Sequence, residues 1–387
     1  MPIIAGVPKE ATPGERRVAL VPAHVPSLVK AGLEIWVEAG AGLLSGYPDE
    51  EYSEKGAKIV DSFKTIADQA QIVLTVRSGA ADAQGRVHAQ ALKPEQVIIG
   101  TMDPWGPHEA FDNLQKNKVT VFAMEWVPRT TRAQAMDVLS SQANLAGYRG
   151  VLMGADLLPK MFPMMMTAAG TIVPAKVFIL GAGVAGLQAI ATARRLGAVV
   201  SAFDVRSAVK EQVESLGAKF VSFDIGDASG AGGYAKELTP EQQVKQKQLM
   251  AEYVKDIDVI VTTAAIPGRP SPKLITEEMV KSMPAGSVIV DLASEKGGNC
   301  ELTEPGKTVV KHNVTIAGPL NVPSTVAYHA SQMYSKNICN FLGLLINKEK
   351  ALVINKDDDI VAATLVTMNG LPGSERASTT LGLGGNS

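Results

Sequence analysis

The stretch Val177-Phe-Ile-Leu-Gly-Ala-Gly-Val-Ala-Gly186 constrains this chain more than any other. It combines a short apolar run, a turn with glycines at 181, 183 and 186, and a helical stretch. Val199-Val-Ser-Ala-Phe and the acid Asp204 follow. Asp204 stands 18 residues beyond Gly186, close to the roughly 20 of a dinucleotide-binding fingerprint. A lone GxGxxG is weak, but here strand, turn, helix, strand and acid all occur in order. Gly181 is expected to permit the tight turn, Gly183 to let a pyrophosphate approach the backbone, and Gly186 to let the helix sit close to the strand. The helix N-terminus then offers unpaired N–H groups and a positive dipole end to phosphates, with Ala182, Gly183 and Val184 facing them. Asp204 is expected to accept hydrogen bonds from an adenosine ribose, flanked by Val205 and Arg206. An acid there repels a 2′-phosphate and favours NAD(H), whereas an arginine nearby can accommodate that phosphate, so Arg206 complicates the assignment.

At 387 residues and roughly 150 per domain, two domains are expected. With 46% hydrophobic and 20% charged residues, the composition suits a soluble globular protein with a full core. The net charge of −2 points neither to nucleic acid nor to an anionic membrane surface. Two cysteines, Cys300 and Cys339, are too few for a disulfide framework and fit a reducing compartment. Met1–Val7 reads as a strand rather than a signal peptide. The uncharged stretch between Lys176 and Arg194 carries the three fingerprint glycines and does not read as a membrane helix. Membrane contact is therefore expected only through a partner.

The first ~125 residues form their own α/β pattern. Strands are expected at 3–7, 34–38, 71–77, 97–100 and 119–123. Helices are expected at 22–30, 50–56, 62–67 and 107–116. Residues 132–162 read as one long helix connecting the domains. A second set of strands is expected at 177–181, 199–204, 219–223, 258–264, 287–293 and 314–318. Tyr328 to Leu345 reads as a helix returning to the first domain. The fold class is α/β, with two doubly wound parallel-sheet, Rossmann-like domains and a cleft between them. The boundaries fall at 1–128 plus 329–387 for the discontinuous N-terminal domain and 129–328 for the nucleotide-binding domain. The glycine-rich run 224–233, followed by Tyr234, reads as a flexible loop acting as a lid over bound nucleotide. The tail 379–387 is expected to fray.

A second informative stretch is Arg129-Thr-Thr-Arg-Ala-Gln-Ala-Met-Asp137, leading to Ser140. Gln134 and Asp137, three apart, share one face if the segment is helical. An amide, a carboxylate and a guanidinium converging there could orient a carboxamide-bearing ring. A solvated helix start with an Arg–Asp pair of little energetic weight fits the spacing equally well.

Residues 129–147, Met164–Gly170, the glycine turn, Asp204-Val-Arg206, Lys210–Gly217, Gly232–Lys236, Thr262–Gly268, Asp291-Leu-Ala, Gly297–Cys300 and Asn321–Ser324 together resemble one pattern. It is that of the NAD(H)-binding α subunits of proton-translocating NAD(P) transhydrogenases, within the alanine dehydrogenase/transhydrogenase family. The resemblance covers nearly the whole chain. It implies that the chain binds NAD(H) and hands a hydride to NADP⁺ on a β subunit. That family's Arg-Gln-Asp loop falls on Arg129, Gln134 and Asp137, with the neighbouring serine at Ser140. Thr130, Thr131, Arg132, Ala135 and Met136 are expected to flank the same cofactor. The mobile-loop tyrosine falls on Tyr234, and Gly233, Gln246 and Ala265 are weaker carry-overs. The resemblance also implies a homodimer on the cytoplasmic face of the inner membrane. The chain carries no membrane helices after this region, so it looks like the split form with a separate small membrane-anchoring α subunit. It tips the choice at Asp204 and Arg206 toward NAD(H). Departures occur at Arg77-Ser-Gly79, at Ala265, where leucine is usual, and at Gly318-Pro-Leu320.

The rival is an alanine dehydrogenase-like amino-acid oxidoreductase. It resembles this chain at Arg17 but uses a lysine and a histidine, whose places here are taken by Arg77 and Thr101. Arginine stays charged, and threonine cannot replace a histidine that titrates near neutral pH. The five histidines, at 24, 88, 108, 312 and 329, lie elsewhere and lack metal-ligand spacing. Hydride passing between two nicotinamide rings needs no proton, only positioning within roughly 3–3.5 Å. With one fingerprint the chain holds one dinucleotide, so it should bind NAD(H) yet lack full activity alone. A nucleotide-sensing module without turnover is a third reading. Glu295, where the dehydrogenases have an acid, is expected to be a structural cap or salt bridge.

Overall fold

The computed structural model describes residues 2–77, 91–222, 239–266 and 268–384. The predicted lid, with Gly233 and Tyr234, and His88 lie outside the described residues, as does the side chain of Gln246. The chain forms two compact units, Met1–Gln142 with Ser324–Ser387, and Ala143–Pro323. The first division thus falls after the Arg129–Ser140 stretch, not before it. That stretch is tied to the first unit by hydrogen bonds described below.

In the first unit the strands are β1 (Ile3–Val7), β2 (Leu33–Glu38), β3 (Lys58–Val60), β4 (Ile72–Arg77), β5 (Val97–Thr101) and β6 (Thr120–Ala123). Near the C-terminus come β16 (Leu365–Met368) and β17 (Leu371–Pro372). Their order is β17-β16-β6-β5-β4-β1-β2-β3. The parallel part, 3-2-1-4-5-6, is the doubly wound arrangement, and β16 adds to β6 antiparallel. Ile72-Val-Leu-Thr-Val and Val97-Ile-Ile are buried almost throughout, as strands covered on both faces must be. Helices α1 (Val25–Lys30), α2 (Asp49–Glu54), α3 (Phe63–Gln69) and α4 (Glu109–Lys116) connect them. The short β3, β16 and β17 carry too little periodicity to be read from sequence. The tail does not fray where it is described: Ser374 caps a helix over Glu375–Leu381, and Ala377, Leu381 and Leu383 are buried.

The predicted helix over 132–162 is also corrected. A 3-10 helix covers Thr131–Met136. Asp137, extended at ψ 93°, breaks the path, and α5 runs Val138–Leu157. Asp137 has left helical geometry to cap α5, accepting from Ser140 N at 2.9 Å, which satisfies an orphan donor of the first turn.

In the second unit a hairpin, β7 (Met165–Thr167) and β8 (Gly170–Ile172), precedes β9 (Lys176–Leu180), α6 (Val184–Arg195), β10 (Val199–Phe203), α7 (Lys210–Ser215) and β11 (Lys219–Phe220). Then come α8 (Pro240–Val254), β12 (Val259–Thr262), α9 (Glu277–Ser282), β13 (Val288–Asp291), β14 (Thr308–Lys311) and β15 (Val314–Ala317). The sheet order is β11-β10-β9-β12-β13-β15-β14. It repeats the doubly wound order, with antiparallel β14 at one edge. Ile179 pairs across to Ala202 and Val261, so β9 is central. The chain returns through α10 (Ala327–Leu345) to the first unit, followed by α11 (Asp359–Thr364) and, after β17, α12 (Glu375–Leu381).

Candidate functional site

In doubly wound sheets ligands bind beyond the carboxyl ends of the strands, where the strand order reverses. In the second unit that place lies between β9 and β12, and the glycine turn leaves β9 there. Gly181 has φ +95°, which a side chain disfavours. A Cβ on Gly186 would lie 1.8 Å from Gly181 O, so only glycine lets α6 pack on the turn. Gly183 needs no special dihedral, and a Cβ there would meet nothing within 4 Å. Its bare backbone therefore opens outward. It is also the N-cap of α6 and makes no side-chain capping bond, leaving the N–H groups of the first turn to another acceptor. This open cradle at a 12-residue helix N-terminus fits a dinucleotide pyrophosphate.

The motifs after β12 and β13 brace this turn. Thr263 Oγ1 donates to Gly181 O at 3.0 Å. Buried Asp291 accepts from Thr262 Oγ1 at 2.8 Å and Ala293 N at 3.1 Å through one oxygen, and from Cys300 N at 3.0 Å and Thr303 Oγ1 at 2.6 Å through the other. Asn299 holds Ala264 on both sides, accepting from its N–H and donating to its carbonyl. Ala265 follows, exposed. Glu295 accepts from Asn321 N at 2.6 Å, the structural tie expected of it.

Asp204 departs from its expected role. Oδ2 accepts from Ala182 N at 2.8 Å and from the Arg206 guanidinium at 2.7 Å. Oδ1 accepts from Arg206 N at 2.9 Å and Nε at 2.8 Å. These four donors fill the roughly four lone-pair sites of a carboxylate. A sugar hydroxyl reaches Asp204 only by displacing the guanidinium. Ala182 is buried, and its N–H is committed to Asp204 rather than to a phosphate. Val184 is exposed, and Val205 and Arg206 are partly so. The carboxylate holds the Arg206 guanidinium firmly charged, raising its pKa.

In the first unit, the 3-10 turn is anchored by buried Ala133 and Met136, while Arg129, Thr130, Thr131, Gln134 and Ala135 are exposed. Met136 is therefore a packing residue. Asp137 also accepts from Ser140 Oγ at 2.6 Å. Asp137 and Ser140 form one unit, and Gln134 stands apart from it beyond the break. The spacing argument for one helical face does not hold, because Asp137 is extended. The arginine–aspartate pairing at this helix start is made by Arg132, with Asp358 at 2.7 Å and also with Asp359. It holds Asp358 down at about pKa 2.

The first unit has its own reversal point, between β1 and β4, and there the chain supplies its own filling. Glu10 accepts from Val76 N at 2.6 Å and Arg77 N at 3.1 Å. Burial, then the nearby Glu15, pushes its carboxyl up to about 8. Arg17 is buried, bonded to Glu15 at 2.6 Å and to Gln142 at 2.9 Å. Arg77 and Thr101 are partners in register, and the Thr101 hydroxyl donates to Val76 O. Glu125 accepts from Met102 N and Asp103 N at 2.8 and 2.7 Å, with burial raising it to about 7. Sequence reasoning missed Glu10 and Glu125. The usable signal was an acid just past the end of the first and the sixth strand.

Of the described histidines, His24 bonds Ser335, His108 caps α4, His312 bonds Glu277, and His329 meets the Tyr328 ring edge-on. Among the described residues no group of three or more metal-ligating side chains gathers, and no helix is long and apolar enough to cross a membrane.

Comparison with known proteins bears on this arrangement. Residues 6–146 match the alanine dehydrogenase/PNT N-terminal domain and residues 150–372 the C-terminal domain. In Rhodospirillum rubrum the NAD(P) transhydrogenase subunit alpha is divided, and its first portion is 49% identical over 368 residues, 94% of this chain and 96% of that protein. The crystal structure of transhydrogenase from Sinorhizobium meliloti superposes with a TM-score of 0.83 at 44% identity, covering 96% of this chain and 99% of that one. A solved L-alanine dehydrogenase superposes at 0.81 with 25% identity, over 98% and 99%.

Proposed function

The chain belongs to the alanine dehydrogenase/PNT family, and on that premise we propose that it is the NAD(H)-binding subunit of a proton-translocating NAD(P) transhydrogenase. It passes hydride from NADH to NADP⁺ held on the NADP(H)-binding domain of a β subunit. The bound nicotinamide supplies the hydride; the chain's residues supply position. The N–H groups at Gly183, Val184 and the first turn of α6 take the pyrophosphate, with Gly181 and Gly186 shaping the turn. Asp204, Val205 and Arg206 take the adenosine half, with the guanidinium swinging off Asp204 to admit the sugar. Arg129, Gln134, Asp137 and Ser140 hold the nicotinamide half, Ser140 keeping Asp137 oriented. Gly233, Tyr234, Gln246 and Ala265 contribute from the nucleotide side, Tyr234 as a lid.

The observation that carries the choice between the two activities lies at the ends of β4 and β5. Arg77 and Thr101 stand side by side there, and neither can shuttle a proton near neutral pH. The nearby carboxyl of Glu10 spends both oxygens on backbone N–H groups. Transfer between two nicotinamide rings needs no such group, so positioning suffices. The high identity to the first portion of a divided alpha subunit supports the split form, in which a homodimer of this chain joins a small membrane-anchoring α subunit and a β subunit at the cytoplasmic face of the inner membrane.

The test is hydride transfer by the purified chain from NADH to an NAD⁺ analogue, with and without the NADP(H)-binding domain of a transhydrogenase β subunit and its bound NADP(H). L-alanine plus NAD⁺ runs as a parallel arm. Rapid transfer only with the partner domain is expected. Turnover of L-alanine without a partner overturns the proposal in favour of the dehydrogenase.

A further inference from the structure

The 3-10 turn that carries Gln134 has no side-chain cap at its start, and apart from Ala133 and Met136 its side chains are exposed. Two buried methyl-bearing side chains fix its depth but leave the turn a direction in which to slide or roll. A polar grip from α10 removes that freedom. Asn337, 7% exposed, donates through Nδ2 to Ala135 O at 2.9 Å. Its Oδ1 accepts from Ser141 Oγ at 2.7 Å. One buried amide thus holds the chain on both sides of Asp137: at the residue following Gln134, and at the residue following Ser140. Asn340, one turn along α10, donates to the same Ala135 carbonyl at 2.9 Å from an exposed position. The grip is itself braced. Gln142 donates to Ser141 Oγ at 3.3 Å and to Ala330 O at 3.2 Å, while its own carbonyl accepts from buried Arg17.

We infer that Asn337 is a positioning residue for hydride transfer, setting the placement of Gln134 and Asp137 through the Ala135 carbonyl and the Ser141 hydroxyl. The inference rests on the transhydrogenase reading above. The chemistry suits an amide and no other side chain of its size. The site needs a donor toward Ala135 and an acceptor toward Ser141 about one amide width apart, and asparagine carries both in one rigid plane. Replacing it with aspartate keeps the shape and the bond from Ser141, but turns the donor into an acceptor facing a carbonyl oxygen. The turn must then move away from α10. Displacements near 1 Å at a positioning group cost on the order of a hundredfold in rate, whereas binding of the rest of a dinucleotide, held elsewhere, is little affected.

The experiment measures single-turnover transfer in the reconstituted system, NADH affinity and thermal unfolding for wild type, Asn337→Asp, Asn337→Ser, Gln134→Asn and the double variant Gln134→Asn/Asn337→Asp. Asn337→Asp is expected to slow transfer at least tenfold while NADH affinity changes less than about threefold. The double variant is expected to be no slower than the worse single variant, because both act on one placement. If Asn337→Asp does not fold, Asn337→Ser, which cannot span to Ala135, is expected to show the same split. Transfer at the wild-type rate in the folded variants overturns the inference, as do losses of rate and affinity in equal measure or losses that multiply in the double variant. Absence of transfer in wild type itself overturns the functional reading instead, so the two failures are distinct.

Discussion

Gly183 and Gly186 lie three residues apart in one motif, yet the structure separates what each is for. Gly183→Ala adds a methyl to open space at a dihedral alanine accepts. Thermal stability should stay within about 0.5 kcal/mol, as for a surface change, while NADH affinity falls about tenfold or more because the cradle is filled. Gly186→Ala forces a methyl to within 1.8 Å of a backbone oxygen. It should cost upward of about 3 kcal/mol, the upper range for overpacking, and appear first in thermal unfolding. Calorimetry and fluorescence titration on both variants check the contrast; equal losses of stability would contradict it. Glu10 carries a pH prediction. Its folded pKa, about 8, lies above the ordinary carboxylate range, so between about pH 4.5 and 8 the native state holds a proton that the unfolded state has lost. Stability from this group is therefore greatest at low pH and declines as pH rises through that window, by at most roughly 1.4 kcal/mol per pH unit. Glu10→Gln, which keeps one of the two acceptor oxygens, should lower stability at pH 5 but flatten its decline toward pH 8. A slope as steep as wild type would remove Glu10 from that role.

At the scale of elements, the strand–turn–helix of the second unit is held by more than its glycines. Asp204 reaches back from the end of β10 to the N–H of Ala182 in the turn, so the acid of the fingerprint braces the turn and also carries Arg206. Asp204→Ala is accordingly expected to do three things at once. It should weaken NADH about tenfold or more, the scale of a hydrogen bond to a charged group. It should release Arg206 toward a 2′-phosphate, narrowing the preference for NADH over NADPH. It should also lower the unfolding temperature. Titration with both nucleotides checks it, and an unchanged preference would exclude Asp204 from the ribose site. The helix predicted through Asp137 shows the reverse case, an element the pattern overextends. Leu139, Ala143 and Ala146 continue the apolar stripe, but a side chain that can cap competes with the helix from within it. Periodicity does not register which of two local hydrogen-bond schemes an aspartate adopts.

For the whole molecule, the same strand order appears twice, and the two reversal points have opposite fates. Beyond β9 an open backbone at Gly183 faces outward; beyond β1 a buried Glu10 closes onto β4. The first unit also depends on chain that returns late, since β16 completes its sheet and α12 covers it. Truncation after Ser374 removes Ala377, Leu381 and Leu383 from a buried cluster that includes Phe111, Trp126 and Val366. It should lower the unfolding temperature by several degrees or more, each large-to-nothing core loss costing about 2–5 kcal/mol. A truncated chain as stable as the full one would mean that the tail is dispensable.

The amino-acid sequence by itself determined the α/β class, both central sheets, the glycine turn with its separate uses of Gly181 and Gly186, and the family. These are written locally, in apolar runs, glycine spacing and motif order, where neighbouring residues suffice. It did not disclose β16 and β17, the break at Asp137, the filling of Asp204 by Arg206, the buried carboxyls of Glu10 and Glu125, or the hold of Asn337 on Ala135. Each of these depends on which groups, often tens or hundreds of residues apart, share one small volume once the sheets are wound. A carboxylate's partners and a buried acid's pKa are properties of that volume, so only the tertiary structure decided them.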